Sequence, residues 1–136
     1  MDQVRILGVD ELDSGWEDHL PRFRVYLHGS GDDTTAGWTH AYDVTGADAL
    51  QVIDWAQRQA ADTLTFAVAL VVDDKDQGRG LVWLVGMDGN DMVTTAAQED
   101  AQRRMLLRRW LPVGVPVADR IPYDAFDPFG KQSDLR

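Results

Sequence analysis

Residues 42–87 read YDVTGADALQVIDWAQRQAADTLTFAVALVVDDKDQGRGLVWLVGM and contain one amphipathic helix followed by two apolar strands. The helix is predicted at 46–61. Segments 64–72 and 81–87 are apolar at nearly every position, which is typical of strands in the middle of a sheet. The charged, turn-rich link 73–80 predicts that these two strands form a β-hairpin. The small apolar residues that helical spacing places on one side of the helix, suited to lying on a sheet, are Ala49, Val52, Ile53, Ala56 and Ala60.

Capping signals define the starts of two helices. Thr45 is the predicted N-cap of the first helix, and Asp48 lies near the positive end of its dipole. A second helix is predicted at 95–111, because Thr95 and Gln98 have the spacing of a capping box. Acidic residues near the start of this helix and arginines near its end match the helix dipole.

Shorter segments complete the predicted fold. Residues 4–9 are an apolar run that predicts an opening strand, and the alternating segments 23–28 and 38–44 predict a hairpin. We therefore expect an α+β fold, a two-layer sandwich of about five mostly antiparallel strands with two helices. Both helices are expected on the sheet face lined by Phe23, Val25 and Leu27.

Length predicts a single domain. The chain has 136 residues, enough to bury a core without disulfides, and it contains no cysteine. We place the domain at 1–111, followed by an extended, proline-rich tail at 112–136 that packs on the domain or projects from it. The aromatic segment 123–130 in this tail is either a linear motif for a partner or a cover for a sheet edge.

The hairpin of 23–28 and 38–44 decides which side chains share a surface. If it closes symmetrically about Thr34, Tyr26 lies opposite Tyr42 and His28 lies opposite His40. A slip of one residue would undo this pairing. The side chains that this register places together on an amphipathic aromatic face are Arg24, Tyr26, His28, Trp38, His40 and Tyr42.

The net charge of −10 is unevenly distributed. Residues 1–91 carry 17 acidic and 6 basic side chains, whereas residues 92–136 carry 6 acidic and 7 basic ones. This field disfavours nucleic acid and anionic membranes, and it favours solubility or a basic protein partner. The acidic segment 10–18 surrounds Trp16 and either docks on such a partner or is simply solvated. Neither a basic leader nor a transmembrane run is evident, so we expect a cytoplasmic protein.

Several chemical sites are disfavoured. The segment 27–31, LHGSG, lacks the glycine spacing of a nucleophile elbow, and the aspartates of 73–80 miss the calcium-loop spacing. The glycine-rich segments lie in hairpin loops rather than before helices, so they are poor phosphate cradles. We expect no catalytic residues, no metal site and no cofactor.

The leading hypothesis is a non-enzymatic, acidic protein-interaction domain, for example an antitoxin or immunity-type inhibitor of a basic toxin, or a subunit of a complex. The alternative is a small-ligand-binding or metal-binding protein, or a hydrolase, with a pocket near His28 and His40 and a carboxylate from Asp43 or Asp54. A third possibility is a homodimer that buries its aromatic face. The predicted partner-binding residues are Tyr26, His28, Trp38, His40, Tyr42 and Trp55.

Overall fold

The fold is α+β, with a four-stranded antiparallel sheet in which the strands lie in the order Trp38–Val44, Arg22–Gly29, Thr65–Asp74 and Gly78–Val85. The computed structural model describes residues 4–29, 37–61, 63–88, 94–108 and 112–125. The strands are β1 (Arg22–Gly29), β2 (Trp38–Val44), β3 (Thr65–Asp74) and β4 (Gly78–Val85), and the α-helices are α1 (Ala49–Ala60) and α2 (Ala96–Arg108). Three short 3-10 helices lie at Glu11–Asp13, Val117–Asp119 and Tyr123–Ala125.

Helix α1 begins one turn later than predicted. Asp48, rather than Thr45, is the N-cap, because its carboxylate accepts a hydrogen bond from the Gln51 amide. The Gln51 side chain accepts in turn from the Asp48 amide, which completes a capping box. The helix ends at Ala60, and Ala61 follows with a φ of 51°.

The core lies between α1 and one face of the sheet. At its centre, Val52 and Ala56 of α1 are fully buried together with Val25 of β1 and Val68 of β3. This confirms the predicted core role of the Val25 face and most of the predicted apolar side of the helix. Of that side, Ile53 is only partly buried and Ala49 is exposed. The other buried members of the cluster are Phe23, Leu27, Trp55, Ala60 and Phe66.

Helix α2 contacts the sheet elsewhere. It begins with the predicted capping box, in which Thr95 Oγ1 accepts from the Gln98 amide at 3.1 Å. Met105 of α2 is buried. A Cβ added to Gly86 would lie 3.2 Å from Met105 Cγ and 3.0 Å from Ala67 Cβ, so Met105 and Ala67 meet beside Gly86. Ala67 alternates with the core residues of β3 and pairs with Tyr26, so it belongs to the other face. The expectation that α2 packs on the Val25 face is therefore wrong.

The chain after α2 runs beside α1. Gln57 donates to the Arg108 carbonyl oxygen at 2.9 Å and accepts from the Val113 amide at 2.8 Å. Gln51 donates to the Asp119 carbonyl oxygen at 2.8 Å, and Ile121 packs against the core. Part of the predicted aromatic tail motif, 126–130, lies outside the described residues.

Two strand predictions need correction. The predicted opening strand at 4–9 is not a strand, and the described residues form four strands rather than five. β3 lies in the interior of the sheet as predicted, but β4 is an edge strand although 81–85 is entirely apolar. The sheet therefore has an apolar strand at its edge and an apolar segment, 4–9, that pairs with no strand of the described chain.

Candidate interaction surfaces

The register between β1 and β2 differs by one residue from the symmetric prediction. Leu27 lies opposite His40, and His28 lies opposite Thr39. Tyr42 pairs with Val25 rather than with Tyr26. Because a one-residue shift moves every side chain of a strand to the other face, the predicted aromatic face is split in two.

Trp38, His40 and Tyr42 lie on the α1 side of the sheet and form a ladder of rings along β2. The Trp38 and His40 ring centroids are 4.7 Å apart, and those of His40 and Tyr42 are 6.3 Å apart. Tyr42 meets Trp55 edge to face at 5.7 Å. Trp38, at the outer end, is 43% exposed, whereas Trp55, at the inner end, is buried. α1 directs Trp55, one of the predicted partner-binding residues, into the core, so it presents little surface to a partner.

Gly29 provides the space for the outermost ring of the ladder. A Cβ at this position would lie 2.3 Å from Trp38 Cε2 and 2.5 Å from Cζ2 and Nε1. Real Cβ atoms essentially never approach so closely, so the Trp38 indole lies where only a glycine permits it. The cross-strand pair of Gly29 and Trp38 is thus a direct signature of the observed register.

Tyr26 and His28 lie on the opposite face, together with Trp83 of β4. The Tyr26 and Trp83 ring centroids are 5.1 Å apart, and Tyr26 stacks on His28 at 6.2 Å. Ala67 and Ala69 are fully buried on β3, which lies between β1 and β4. Trp83 was not predicted here, because the apolar run 81–87 carries no alternation that would mark one of its faces.

Ion pairs border this face. Asp43 accepts from Arg24 Nε at 2.6 Å and from Arg22 Nε at 2.7 Å. Burial raises the pKa of Asp43, but the hydrogen bonds from Arg24 and Arg22 outweigh burial and hold the pKa below its ordinary value. At the other edge, Arg79 donates to Asp73 at 2.8 Å. The carboxylates of Asp43 and Asp73 are thus engaged with arginines, which makes them poor general bases.

The histidine pair does not form. His28 Nδ1 lies 3.0 Å from Thr39 Oγ1, and His40 is on the other face. Burial lowers the pKa of His28, and the charge of Asp88 offsets part of this effect. Asp54, the other proposed carboxylate partner, is buried on α1 and pairs with Arg58 at 2.9 Å. The predicted constellation of two histidines and a carboxylate is therefore not brought together.

A small cavity is lined by none of these aromatic residues. Its volume is about 270 Å³, and it lies between the end of β4 and α2. Apolar and charged side chains share its lining, which comprises Leu84, Gly86, Ala97, Asp100, Ala101, Arg104 and Arg108. Within the described ranges, no group of three histidine or acidic residues is arranged to hold a metal ion.

The N-terminal arm, residues 4–20, is the most exposed part of the described chain. It contains one short 3-10 helix, capped by Asp10, whose carboxylate accepts from the Leu12 amide at 2.9 Å. All seven large apolar side chains of the arm are at least 78% exposed, and Ile6 reaches 92%. They are Val4, Ile6, Leu7, Val9, Leu12, Trp16 and Leu20.

The chain matches no protein-family model, and no curated protein or solved structure is significantly similar to it. None of the helices in the described part of the chain is long and apolar enough to cross a membrane. The function must therefore be inferred from the surfaces of the described chain.

Proposed function

We propose that this protein is a non-enzymatic protein-interaction domain whose principal docking element is the N-terminal arm. The observation that carries this proposal is the exposure of seven large apolar side chains within 17 residues. Single exposed apolar residues are ordinary on a protein surface, but seven large ones along one short segment are not, and such exposure marks interaction sites. Burying each side chain contributes about 1.5–3 kcal/mol, so a partner that covers the arm gains on the order of 10 kcal/mol before entropic costs.

The composition of the arm suggests how it recognises a partner. Trp16 is 82% exposed, and tryptophan is enriched among the residues that dominate binding energies. Five acidic residues and one arginine accompany the apolar side chains. An apolar contact bordered by carboxylates suits a surface that offers apolar pockets beside arginine or lysine.

An antitoxin or immunity-type inhibitor of a basic toxin is one specific form of this proposal, and a subunit of a larger complex is another. The net charge of −10 supports the first form, because an acidic surface steers a basic partner toward it. The aromatic residues are partly exposed, and this exposure does not distinguish an inhibitor from a subunit of a complex.

The aromatic groups remain in the proposal as two separate patches. Trp38, His40 and Tyr42 lie on the edge strand β2, and Tyr26 and His28 lie with Trp83 on the opposite face of the sheet. Each patch combines apolar ring area with a polar atom, which is typical of contact residues at protein interfaces.

The alternative, a small-ligand or metal site or a hydrolase at His28 and His40, has no comparable support. The two imidazoles lie on opposite faces of the sheet, and the carboxylates of Asp43 and Asp54 are paired with arginines. The described cavity is lined by none of these residues.

Affinity capture from cells that naturally produce the protein tests the proposal. The bait is the tagged wild type, compared with the double variant Ile6→Asp/Trp16→Ala, whose substitutions remove apolar contacts of the arm. Leu50→Asp is the matched control, because Leu50 is an exposed leucine outside the arm and an aspartate near the start of α1 suits the helix dipole.

We expect wild type and Leu50→Asp to retain the same partner and the double variant to lose it. The variant should keep the melting temperature of the wild type, because the arm residues are exposed in the folded chain. Equal retention of every protein by all three baits would contradict the proposal.

A further inference from the structure

Strand β4 is an unusual edge strand. Edge strands are normally protected by charges, prolines, bulges or a covering segment, because their free backbone groups attract further strands. Residues 81–85 of β4 read LVWLV, and Val82 and Leu84 are 50% and 47% exposed. A bulge interrupts the pairing with β3 at Leu84, because Trp83 lies opposite Ala69 and Val85 lies opposite Val68, and the charge of Arg79 is paired with Asp73. The regular, apolar part of this edge is therefore 81–83. The other edge strand, β2, instead carries polar residues such as Thr39 and Asp43. The sheet therefore has one edge with the composition of an interior strand.

Residues 4–9 of the arm have the composition of a β-strand that could pair with the β4 edge. Residues 4–9 read VRILGV, a pattern that predicts a strand, yet within the described chain they pair with none. On the basis of the proposed function, we propose that the partner of the arm is a second copy of this chain. In this homodimer, residues 4–9 of each copy add as a fifth strand to the β4 edge of the other copy.

The surroundings of β4 also suit the rest of the arm. The cavity of about 270 Å³ opens beside Leu84, and its lining offers the alanines and arginines of α2 together with Asp100. Residues 10–18 of the arm combine Leu12 and Trp16 with acidic side chains. An apolar side chain from this segment fits between Leu84 and α2 while its neighbouring carboxylates approach Arg108, since Arg104 is paired with Asp100 at 3.0 Å.

A second copy of the chain accounts for both the exposed arm and the exposed edge of β4. The arm and the β4 edge are exposed in the same chain, so the arm does not cover its own edge here. An unrelated protein that bound the arm would leave β4 uncovered, whereas a reciprocal exchange covers both elements in both molecules. Such an exchange is symmetric and closed, which limits the assembly to a dimer.

The first test is the mass in solution, measured by sedimentation of the full chain. We expect the wild type and the Leu50→Asp control to be dimers, and Ile6→Asp and Val82→Lys to be monomers with an unchanged circular dichroism spectrum. Ile6→Asp changes the donor and Val82→Lys changes the acceptor, so loss of the dimer in both identifies the two sides of one contact. A monomeric wild type, or a dimer that survives both substitutions, would overturn the inference.

The second test uses the absence of cysteine from the sequence, which makes introduced thiols unique. A tagged Ile6→Cys chain is mixed with an untagged Val82→Cys chain and oxidised. We expect a disulfide between the two different chains, and little or none when Leu50→Cys replaces Val82→Cys. A chain carrying both Ile6→Cys and Val82→Cys that instead closes an internal disulfide as a monomer would show that the arm docks on its own sheet, which overturns the exchange.

The two proposals fail differently. If the protein is a monomer in both tests but Ile6→Asp/Trp16→Ala still loses a different protein in the capture experiment, the exchange is wrong and the proposed function stands. If arm substitutions change neither the mass nor the captured proteins, both are wrong.

Discussion

Replacing Gly29 by alanine tests the register of the β1–β2 hairpin. The added methyl would lie 2.3–2.5 Å from three atoms of the Trp38 indole, so the ring must leave its position. Trp38 is 43% exposed, so displacement returns a little over half of its surface to water. A buried aromatic covers about 150–250 Å², so the loss is on the order of 100 Å² or about 2.5 kcal/mol. Alanine recovers about 0.5 kcal/mol relative to glycine in a strand, so we expect a net loss of about 2 kcal/mol.

A double-mutant cycle measured by urea unfolding isolates this contact. In the Trp38→Ala background the methyl of Gly29→Ala no longer meets the indole, so the substitution should be neutral or slightly stabilising. The coupling free energy between the two positions should then be about 2 kcal/mol. If Gly29→Ala is equally destabilising in both backgrounds, Trp38 does not lie over Gly29 and the register is wrong.

Three further predictions concern charge and core packing. The arginines hold the pKa of Asp43 below its ordinary value, so its ion pairs stabilise the fold fully at pH values above the ordinary pKa. This stabilisation is lost as the pH falls through the lowered pKa. Asp43→Asn should lower the free energy of unfolding by about 1 kcal/mol at neutral pH and reduce the loss of stability in acid, as measured by urea unfolding at a series of pH values. Burial lowers the pKa of His28 from 6.5, so the fold favours the neutral ring. The free energy of unfolding should therefore fall as the pH drops below 6.5 toward the lowered pKa. In His28→Gln, urea unfolding should show no such decrease over this pH range. Phe66 is 1% exposed, so Phe66→Ala should lower the free energy of unfolding by about 3–5 kcal/mol. Val72 lies on the same strand and is 40% exposed, so Val72→Ala should lower it far less. Similar losses at both sites would contradict the assigned core.

Periodicity predicted the elements that bury an apolar face. Helix α1 and strand β3 form close to their predicted bounds, because the small apolar side of 49–60 and the apolar run that begins near 64 have few other ways to leave water. The start of α2 followed from local chemistry, because the Thr95 hydroxyl and Gln98 satisfy amides within the same turn.

Register was not predictable from alternation alone. Residues 30–37 separate β1 from β2 along the sequence, and a connection of that length does not fix the pairing as a two-residue turn does. The alternating segment 38–44 has rings on one face and small or polar side chains on the other, and its rings are amphipathic enough to lie on either side of a sheet. Two contacts agree with the observed choice: Asp43 reaches Arg24 on one face, and Tyr42 meets Trp55 on the other.

The position of β4 and the fate of residues 4–9 were also beyond the sequence. A run that is apolar on both faces predicts burial but does not say whether the covering strand comes from the same chain. The structure places β4 at an edge and leaves 4–9 exposed and outside the sheet, and the proposed exchange accounts for both observations.

Hydrogen exchange of the arm amides, read by mass spectrometry at several protein concentrations, tests the central claim most directly. If residues 4–9 form a strand on the β4 edge of a second copy, their amides should be protected at high concentration and lose protection on dilution, together with the amides of β4 that face the edge. The Val82→Lys variant should remove the protection at every concentration. Exchange of residues 4–9 at the rate of an unstructured peptide at all concentrations would contradict the account.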